Sequence, residues 1–313
     1  MKYFVKKFIT MLVTVLIVSF FVFLAFQLIP GDPATAKLGI NATPAALESL
    51  RAKMGLDKPF LYRYLTWIRD FFFGDMGKSY SYGMSVKKML AGKLPITVTL
   101  TLMSFVLTIV LSVPVGIYAA EHDGSFISKA VDVINQIVMA VPAFFAGMLI
   151  TYVFGLILRL FTPGGYVDYS RNVGRFLGYM FFPSLAIALP KAAMTVKMLK
   201  TSVLSEARLD YVRTAYSRGN STNAVLYKHV LKNAFIPVIT FLGMTLSDIV
   251  AGSLIVEQVF SIPGYGRLLI TSISNRDYPV VMAIIAIIAF IVILVNFLVD
   301  ILYRVIDPRL REG

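Results

Sequence analysis

The sequence has no cysteine and only two histidines, and both shortages exclude classes of site. Without cysteine the chain forms neither a disulfide framework nor a thiolate metal centre. His122 and His229 lie far apart in the sequence, so we do not expect a histidine-based metal site. Charged residues are also scarce, at 15% of the chain, against about 25% in an ordinary globular domain. Hydrophobic residues make up 58%, which is more apolar surface than one soluble core needs.

Long segments without charge separate the charged parts of the chain. Four segments lack Asp, Glu, Lys and Arg altogether: 8–31, 94–120, 133–158 and 278–299. Two more carry a single charge, Lys191 within 176–196 and Asp248 within 233–256. A bilayer core of about 30 Å is crossed by roughly 20 helical residues, so each segment is long enough to span it. Buried helices of a soluble protein usually show a polar face at a period of about 3.6 residues, and these segments do not. We therefore predict an all-α, multi-pass membrane protein with six transmembrane helices.

The net charge of +13 has a topological explanation. In a soluble protein such a charge would favour nucleic acid as a partner. Here the basic residues concentrate in the N-terminal tail, in the connection between the fourth and fifth segments, and in the C-terminal tail, which contains Arg309 and Arg311. The positive-inside rule predicts that both termini face the cytoplasm. We expect the lipid bilayer, and no nucleic acid, as a partner.

Three parts of the chain follow from this topology. We predict an N-terminal tail and first helix (1–31), an external segment (32–93) and a five-helix core (94–313) with a cytoplasmic loop at about 200–232. In the external segment, Thr43 and Pro44 are typical of a helix N-cap followed by proline at the first helical position. Apolar residues then recur at helical spacing, which places this run against the core or at the membrane surface. They are Leu61, Tyr64, Leu65, Ile68 and Phe72.

One short motif in the external segment suggests a phosphate-binding loop and is rejected. A phosphate-binding loop has the pattern Gly-x-x-x-x-Gly-Lys-Ser/Thr, and Gly77-Lys78-Ser79 matches its last three residues. The pattern also needs a glycine five positions before Gly77, at position 72. Position 72 is phenylalanine, and the topology places the segment outside the cell, away from ATP. We predict a surface loop here.

The cytoplasmic connection between the fourth and fifth spans has a helix, glycine, helix order. Residues 205–218 favour a helix that ends before Gly219, because glycine readily adopts the left-handed conformation of a helix end. Ser221 or Thr222 can then cap a second helix that reaches Lys232. A DNA-binding helix-turn-helix has a similar pattern, but these helices lie between two membrane spans. We predict a firm protrusion on the cytoplasmic side.

Charges within or beside the spans are candidate pathway residues. Lys191 and Asp248 fall near the middle third of their spans, where charged side chains usually face the interior and pair. An interior pair and a direct contact with the substrate both stay open. Glu257 lies near the outer end of the fifth span, before a turn rich in glycine and proline. This turn is either a connection only or an outer gate, for which the candidate residues are Glu257, Pro263, Gly264, Gly266 and Arg267.

Several motifs together resemble a known family. Arg213-Thr214-Ala215, with Gly219 after three further residues, resembles the EAA loop of binding-protein-dependent ABC importer permeases, in the form found in peptide and nickel permeases. Arg213 and Thr214 replace the Glu and Ala of the general motif, and Lys232 stands where many relatives outside this group have Pro. Further matches run along the whole chain, and their order and spacing are specific. They include Pro30-Gly31-Asp32-Pro33, Gly55-Leu56-Asp57-Lys58-Pro59, Gly74-Asp75-Met76-Gly77, Arg276-Asp277-Tyr278-Pro279 and Asp307-Pro308-Arg309.

The resemblance implies a fold, partners and a mechanism. It implies the type I ABC importer permease fold and the first of two permease subunits of a dipeptide or oligopeptide importer, in a bacterial or archaeal cytoplasmic membrane. The implied partners are a second permease, two ATPase subunits and an extracellular or periplasmic solute-binding protein. The chain itself is then no enzyme and binds no cofactor, because ATP and magnesium are bound by the ATPases. The implied ATPase-coupling residues are Asp210, Tyr211, Arg213, Thr214, Ala215 and Gly219.

Other functions remain as alternatives. Nickel, glutathione or oligosaccharides are alternative cargoes for the same architecture. A secondary transporter usually shows inverted repeats, and we find no internal repeat. A membrane-embedded enzyme would need a catalytic constellation, such as a Ser/His/Asp triad or paired acids, and none stands out in the sequence.

Overall fold

The computed structural model describes residues 2–28, 33–38 and 42–306, and this part of the chain is almost wholly helical. The motif residues Pro30-Gly31-Asp32 and Asp307-Pro308-Arg309, and Arg311, lie outside the described residues. The helices are α1 (Lys2–Leu28), α2 (Pro33–Leu38), α3 (Pro44–Lys53), α4 (Phe60–Phe72), α5 (Val86–Leu90), α6 (Leu94–Glu121), α7 (Phe126–Ala140), α8 (Ala143–Ile150), α9 (Val173–Glu206), α10 (Asp210–Ser217), α11 (Thr222–Val225), α12 (Leu231–Val259), α13 (Tyr265–Ser274) and α14 (Tyr278–Ile306). Two π-helical segments, Thr151–Ile157 and Leu226–Val230, follow α8 and α11 directly.

The membrane spans agree with the hydrophobic pattern, with one break. Five helical stretches are long and apolar enough to cross a bilayer: Val5–Phe26, Val86–Glu121, Val173–Glu206, Thr222–Val259 and Tyr278–Ile301. The remaining predicted span consists of Phe126–Ala140 and Ala143–Ile157, which meet at an angle of 102°. The bend occurs at Pro142, which lacks a backbone N–H and forces the preceding Val141 into an extended conformation. The described residues therefore contain up to six spans, when the bent pair counts as one.

The chain forms two compact units, of which the first comprises Met1–Ile96 and Pro263–Leu294. The helix start predicted at Thr43 and Pro44 is confirmed, because Thr43 caps α3 by accepting a hydrogen bond from the Ala46 N–H at 3.4 Å. The aromatic helix α4 packs against α1. Tyr64 is buried there, and its hydroxyl donates to the Leu16 carbonyl at 3.1 Å. Leu61 and Leu65 are exposed, so one face of α4 packs on α1 and another remains uncovered within the described chain.

The second unit comprises Thr97–Ile262 and Val295–Gly313 and is organised around α9. This helix contacts α7, α8 and α12. It is rich in buried alanines, which allow neighbouring helices to approach closely, as is common between membrane helices. They are Ala186, Ala188, Ala192 and Ala193. Because α9 is the central helix of this unit, the polar groups along it are the ones that can connect several helices.

Candidate functional site

The connection after α9 forms two helices separated by a glycine. The main chain leaves α9 after Glu206, and α10 begins at Asp210, with Leu209 extended at its N-cap. The single helix predicted from residue 205 to 218 is therefore wrong at its start, because a break of three residues lets α10 take its own direction. Its end agrees with the sequence, since Gly219 has a φ of +80°, a left-handed conformation that favours glycine.

The second helix of the connection is continuous with the fifth span. The Ser221 side chain caps α11 by accepting a hydrogen bond from the Ala224 N–H at 3.4 Å. Of the two residues predicted as possible caps, Ser221 and Thr222, the structure therefore has Ser221. The prediction that this helix ends at Lys232 is wrong, because the chain passes from α11 through a π-helical turn, Leu226–Val230, into α12. No loop therefore separates the α10–α11 connection from the fifth span.

The short helix α10 has a buried face and an exposed face. Val212 and Ala215 are buried in an apolar cluster with side chains of α9 and α12. Asp210, Arg213 and Thr214 are exposed and form the outer face of α10. Ala215 is only 6% exposed, so its side chain contacts the chain's own core. The exposed side chains and Gly219 are the ones available to another subunit.

Tyr211 connects α10 to the ends of both neighbouring spans. Its hydroxyl donates to Glu206 Oε1 at 2.7 Å and lies 3.4 Å from the His229 carbonyl oxygen. Asn233 Nδ2, in the first turn of α12, donates to the same hydroxyl at 3.1 Å. Burial raises the pKa of Tyr211, and the hydrogen bond to Glu206 raises it further, so the phenol stays protonated at neutral pH. The sequence singled out Tyr211 by its place in the motif but gave no indication of Glu206 or Asn233 as its partners.

Lys191 of α9 and Asp248 of α12 form an ion pair. The Lys191 Nζ atom lies 2.8 Å from Asp248 Oδ2. The two side chains differ in exposure, at 23% for Lys191 and 65% for Asp248. The structure therefore brings the two predicted span charges together, and the more exposed carboxylate keeps an open side toward its surroundings.

A second lysine of α9 is the centre of a polar cluster that sequence reasoning missed. Lys200 is buried, and its Nζ atom lies 2.7 Å from Asp132 Oδ2 and 3.1 Å from Asp123 Oδ1. The same atom donates to Ser128 Oγ at 2.9 Å, and Ser128 donates to the Ala119 carbonyl at 2.8 Å. In the sequence, Lys200 is only one of several basic residues near the cytoplasmic connection. The structure makes it the group that joins α9 to α7 and to the turn before it.

Glu257 is fully buried near the end of α12. The Thr97 hydroxyl donates to Glu257 Oε1 at 2.6 Å. The Glu257 carbonyl accepts a hydrogen bond from the Ile262 N–H at 2.8 Å and closes the turn after the helix. These contacts hold the acid within the second unit of the chain.

The other candidate gate residues belong to the first unit. The Pro263 carbonyl accepts a hydrogen bond from Lys93 Nζ at 3.1 Å. Gly264 is the N-cap residue of α13, and Gly266 is buried in its first turn. Arg267, in the same turn, is exposed. These residues form the start of an ordered helix, and a gating role for them stays a prediction.

The loop at Gly77-Lys78-Ser79 is more than a surface loop. Ser79 is buried, and its hydroxyl donates to Asp277 Oδ2. The fully buried Asp277 carboxylate also accepts backbone N–H bonds from Tyr80 at 2.9 Å and from Ser81 at 3.3 Å. The predicted surface position is therefore wrong for Ser79, because Asp277 compensates for burying its hydroxyl. This network attaches the external segment to the residue just before α14.

The chemistry available in these clusters is hydrogen bonding and ion pairing between helices. Across residues 2–28, 33–38 and 42–306, no three His, Asp or Glu side chains converge as ligands of a metal ion. The polar groups instead join α9 to α7, α9 to α12, and α10 to both of its neighbouring spans. Such contacts suit a protein whose helices are positioned and moved by another component.

Two family models match the chain in succession. Residues 1–101 match a model described as "Binding-prot-dependent transport system membrane comp, N-term". Residues 112–312 match "Binding-protein-dependent transport system inner membrane component". The two matches together cover nearly the whole chain and leave out only residues 102–111, within α6, and the last residue.

Similar curated proteins extend over nearly the same length. The probable peptide ABC transporter permease protein of Sinorhizobium fredii is 31% identical over 309 residues, which cover 99% of each chain. A putative peptide transport system permease protein of Brucella abortus is 34% identical, with 95% of this chain and 94% of the relative covered. The oligopeptide transport system permease protein AppB of Bacillus subtilis is 33% identical, with 92% of each chain covered.

Proposed function

Because the chain belongs to the family of binding-protein-dependent transport system inner membrane components, we propose that it is a permease subunit of a peptide importer. Peptide cargo is supported by the names of the similar proteins, which are peptide or oligopeptide permeases over nearly their full length. The peptide-type form of the Arg213-Thr214-Ala215 motif supports the same cargo. Nickel, glutathione and oligosaccharides are the alternatives that a transport assay distinguishes.

The proposed complex has the composition expected of an ABC importer. A second permease completes the translocation pathway, two ATPase subunits bind ATP and magnesium on the cytoplasmic side, and a solute-binding protein delivers the peptide. The chain lies in the cytoplasmic membrane with both termini inside. This orientation is supported by the concentration of basic residues between α9 and α12 and in the tails. Residues 32–93 are then external, and residues 94–313 form the permease core.

We propose that α10 and Gly219 are the surface on which an ATPase subunit docks. The exposed face of α10 carries Asp210, Arg213 and Thr214 and has no covering element within the described chain. The buried face, with Val212 and Ala215, keeps α10 attached to its own core. A subunit that pulls on the exposed face would therefore move α10 as a rigid body rather than unfold it.

The observation that carries the proposal is the attachment of α10 to both neighbouring spans. Tyr211 contacts Glu206 at the end of α9 and Asn233 at the start of α12, so displacement of α10 acts on both helices together. The same two helices carry the Lys191–Asp248 ion pair within the membrane. Closure of the ATPases is then converted into a change in the α9–α12 region, where the pair lies on or beside the pathway.

Reconstitution tests the function directly. The chain is assembled in liposomes with its cognate second permease, ATPases and solute-binding protein, and uptake of a radiolabelled peptide is measured with ATP on the cytoplasmic face. We expect uptake that requires ATP, the binding protein and the ATPases. Uptake that persists without the ATPases would identify a secondary transporter. ATP-driven uptake of nickel, glutathione or an oligosaccharide, without uptake of peptide, would support a permease function and contradict the proposed peptide cargo.

A further inference from the structure

A cavity of about 400 Å³ lies in the first unit of the chain and has no part in the proposed transport mechanism. Three cationic side chains line it: Lys58, Arg63 and Lys78. Trp67 of α4 and Tyr80 form part of its wall, so the cavity combines positive charge with amphipathic aromatic rings. This composition favours an anionic ligand with an apolar portion.

Arg63 differs from the two lysines of this cavity in its burial, because Lys58 and Lys78 are exposed. It is partly buried, and its guanidinium lies over the Phe23 ring, 5.9 Å from the centroid. Burial lowers the pKa of Arg63, although nearby Tyr80 and Asp57 oppose the change, and an arginine remains protonated in any case. Among the described side chains, no carboxylate forms a salt bridge with it. A partly desolvated guanidinium without a counterion is a ready partner for an anion.

The two acids that line the cavity are engaged elsewhere. Asp70 forms a salt bridge of 2.7 Å with Arg69. Asp75 accepts a hydrogen bond of 2.9 Å from the Gly77 N–H. Neither acid forms a salt bridge with Arg63, so the guanidinium donors of Arg63 remain available to a ligand.

The cavity lies at the depth of lipid headgroups. Phe23 lines it from the last turns of the first span, Val5–Phe26. Pro279 and Met282 line it from the first turns of the span that begins at Tyr278. Residues this close to a span end lie within about 8 Å of it, which is the interfacial zone of a bilayer.

The neighbouring surface of α4 is suited to the membrane interface. Leu61, Leu65 and Phe72 are exposed on this helix, and Phe73 just after it is 86% exposed. Exposed leucine and phenylalanine beside basic residues are typical of a helix that lies in the interface plane. An anion that reaches the cavity at this depth therefore belongs to a lipid rather than to a solute in bulk water.

We propose that this cavity binds the phosphate of an anionic phospholipid headgroup. Arg63 is the main contact, through the paired N–H donors of its guanidinium, and Lys58 and Lys78 contribute charge at the rim. The bound lipid attaches the external segment to the membrane surface. This site is independent of the transport proposal, so either one can fail without the other.

Trp67 provides the probe, because it is the only tryptophan of the chain and lines the cavity. The purified full chain is placed in mixed micelles with phosphatidylglycerol or phosphatidylcholine, each brominated near the headgroup end of its acyl chains, and quenching of Trp67 is measured. We expect half-maximal quenching at about tenfold less phosphatidylglycerol than phosphatidylcholine, because both lipids carry a phosphate but the choline ammonium of phosphatidylcholine is repelled by the cationic site around Arg63. Equal quenching by the two lipids would overturn the proposal.

Two variants separate a specific contact from general attraction to a basic protein. Arg63→Gln should abolish the preference, while Arg171→Gln, which removes one exposed charge from another loop, should keep it. A preference that survives Arg63→Gln contradicts the site. If Arg63→Gln does not yield folded protein, Lys78→Gln at the exposed rim should lower the preference about twofold, and an unchanged value overturns the proposal.

Inorganic phosphate at millimolar concentration should not relieve the quenching, and relief would assign the cavity to free phosphate instead of lipid.

Discussion

Asn233 donates a hydrogen bond of 3.1 Å to the Tyr211 hydroxyl and so holds the first turn of α12 to the first turn of α10. The same hydroxyl donates to Glu206 at 2.7 Å, at the last residue of α9. One side-chain oxygen thus joins the two spans that flank the proposed docking helix. Apolar packing keeps α10 in place. In the proposed mechanism, these directional bonds determine how a movement of α10 is divided between α9 and α12.

Tyr211→Phe tests this connection, because it removes the hydroxyl and leaves the ring. Loss of hydrogen bonds of about 0.5–1.5 kcal/mol each should lower peptide uptake per ATP hydrolysed by roughly 2- to 10-fold, with ATPase activity retained. Uptake and phosphate release are measured in the same liposomes. Tyr152→Phe is the control, since Tyr152 is exposed outside the docking helix, in the segment Thr151–Ile157, and its hydroxyl has no hydrogen bond among the described residues. An unchanged coupling ratio in Tyr211→Phe would remove this residue from the mechanism.

Gly219→Ala tests the turn that follows α10. No atom lies within 4 Å of the position that a Cβ would take, so the substitution is strained only through the φ of +80°. A left-handed alanine costs roughly 1–2 kcal/mol, which should tilt α10 and lower ATP-driven uptake several-fold. Gly178→Ala is the matched control, because its Cβ also meets no atom within 4 Å and its φ is not positive. Equal uptake by both variants would show that the turn conformation has no part in coupling.

Much of this region could be predicted from the sequence, because it is governed by local rules. Gly219 ends a helix and Ser221 caps the next through contacts within a few residues. The six apolar spans follow from length and composition in the same way. The continuation of α11 into α12 was missed because Lys232 suggested a boundary, whereas an exposed lysine is tolerated on the surface of a longer helix.

Two of the long-range polar contacts could not be predicted. Ser79 and Asp277 are 198 residues apart, and Lys200 and Asp132 are 68 apart. No spacing rule relates such residues, since their contact depends on how whole helices pack. Lys191 and Asp248 were candidates for a pair only because an isolated charge in an apolar span usually has a partner. That rule predicts that a partner exists, but it does not predict the distance or orientation of the two side chains.

Substitutions in the Lys191–Asp248 pair should have unequal effects. Asp248→Asn leaves the more buried Lys191 without its counterion, whereas Lys191→Met leaves an acid that is 65% exposed. We therefore expect Asp248→Asn to lower the unfolding temperature of the purified chain more than Lys191→Met does, because an unpaired charge costs more when it is buried.

The double variant distinguishes a pair from a substrate contact. If the two residues act only as a pair, Lys191→Met combined with Asp248→Asn should recover most of the uptake lost in the worse single variant. If either side chain contacts the peptide, the double variant should be as inactive as that single variant. Full uptake in both single variants would exclude both roles.

The Asp277 carboxylate should be essential for holding the external segment in place. It accepts hydrogen bonds from the Ser79 hydroxyl and from the backbone N–H groups of Tyr80 and Ser81. Asp277→Asn puts an NH2 donor against one of these donors, and a buried polar group left without a partner costs about 1–3 kcal/mol. We expect faster proteolysis of the external segment in the full-length chain, followed by mass spectrometry of the fragments.

Two serine variants give this test its internal control. Ser79→Ala removes one of the three donors and should accelerate cleavage less than Asp277→Asn. Ser81→Ala should leave the rate unchanged, because Ser81 contributes only its backbone N–H to the carboxylate and its side chain is exposed. If all three variants are cleaved at the wild-type rate, the attachment of the segment rests on the apolar contacts between α4 and α1 instead. Acceleration by Ser81→Ala as large as that by Asp277→Asn would show that the loop is sensitive to any substitution and would contradict the specific role of the carboxylate.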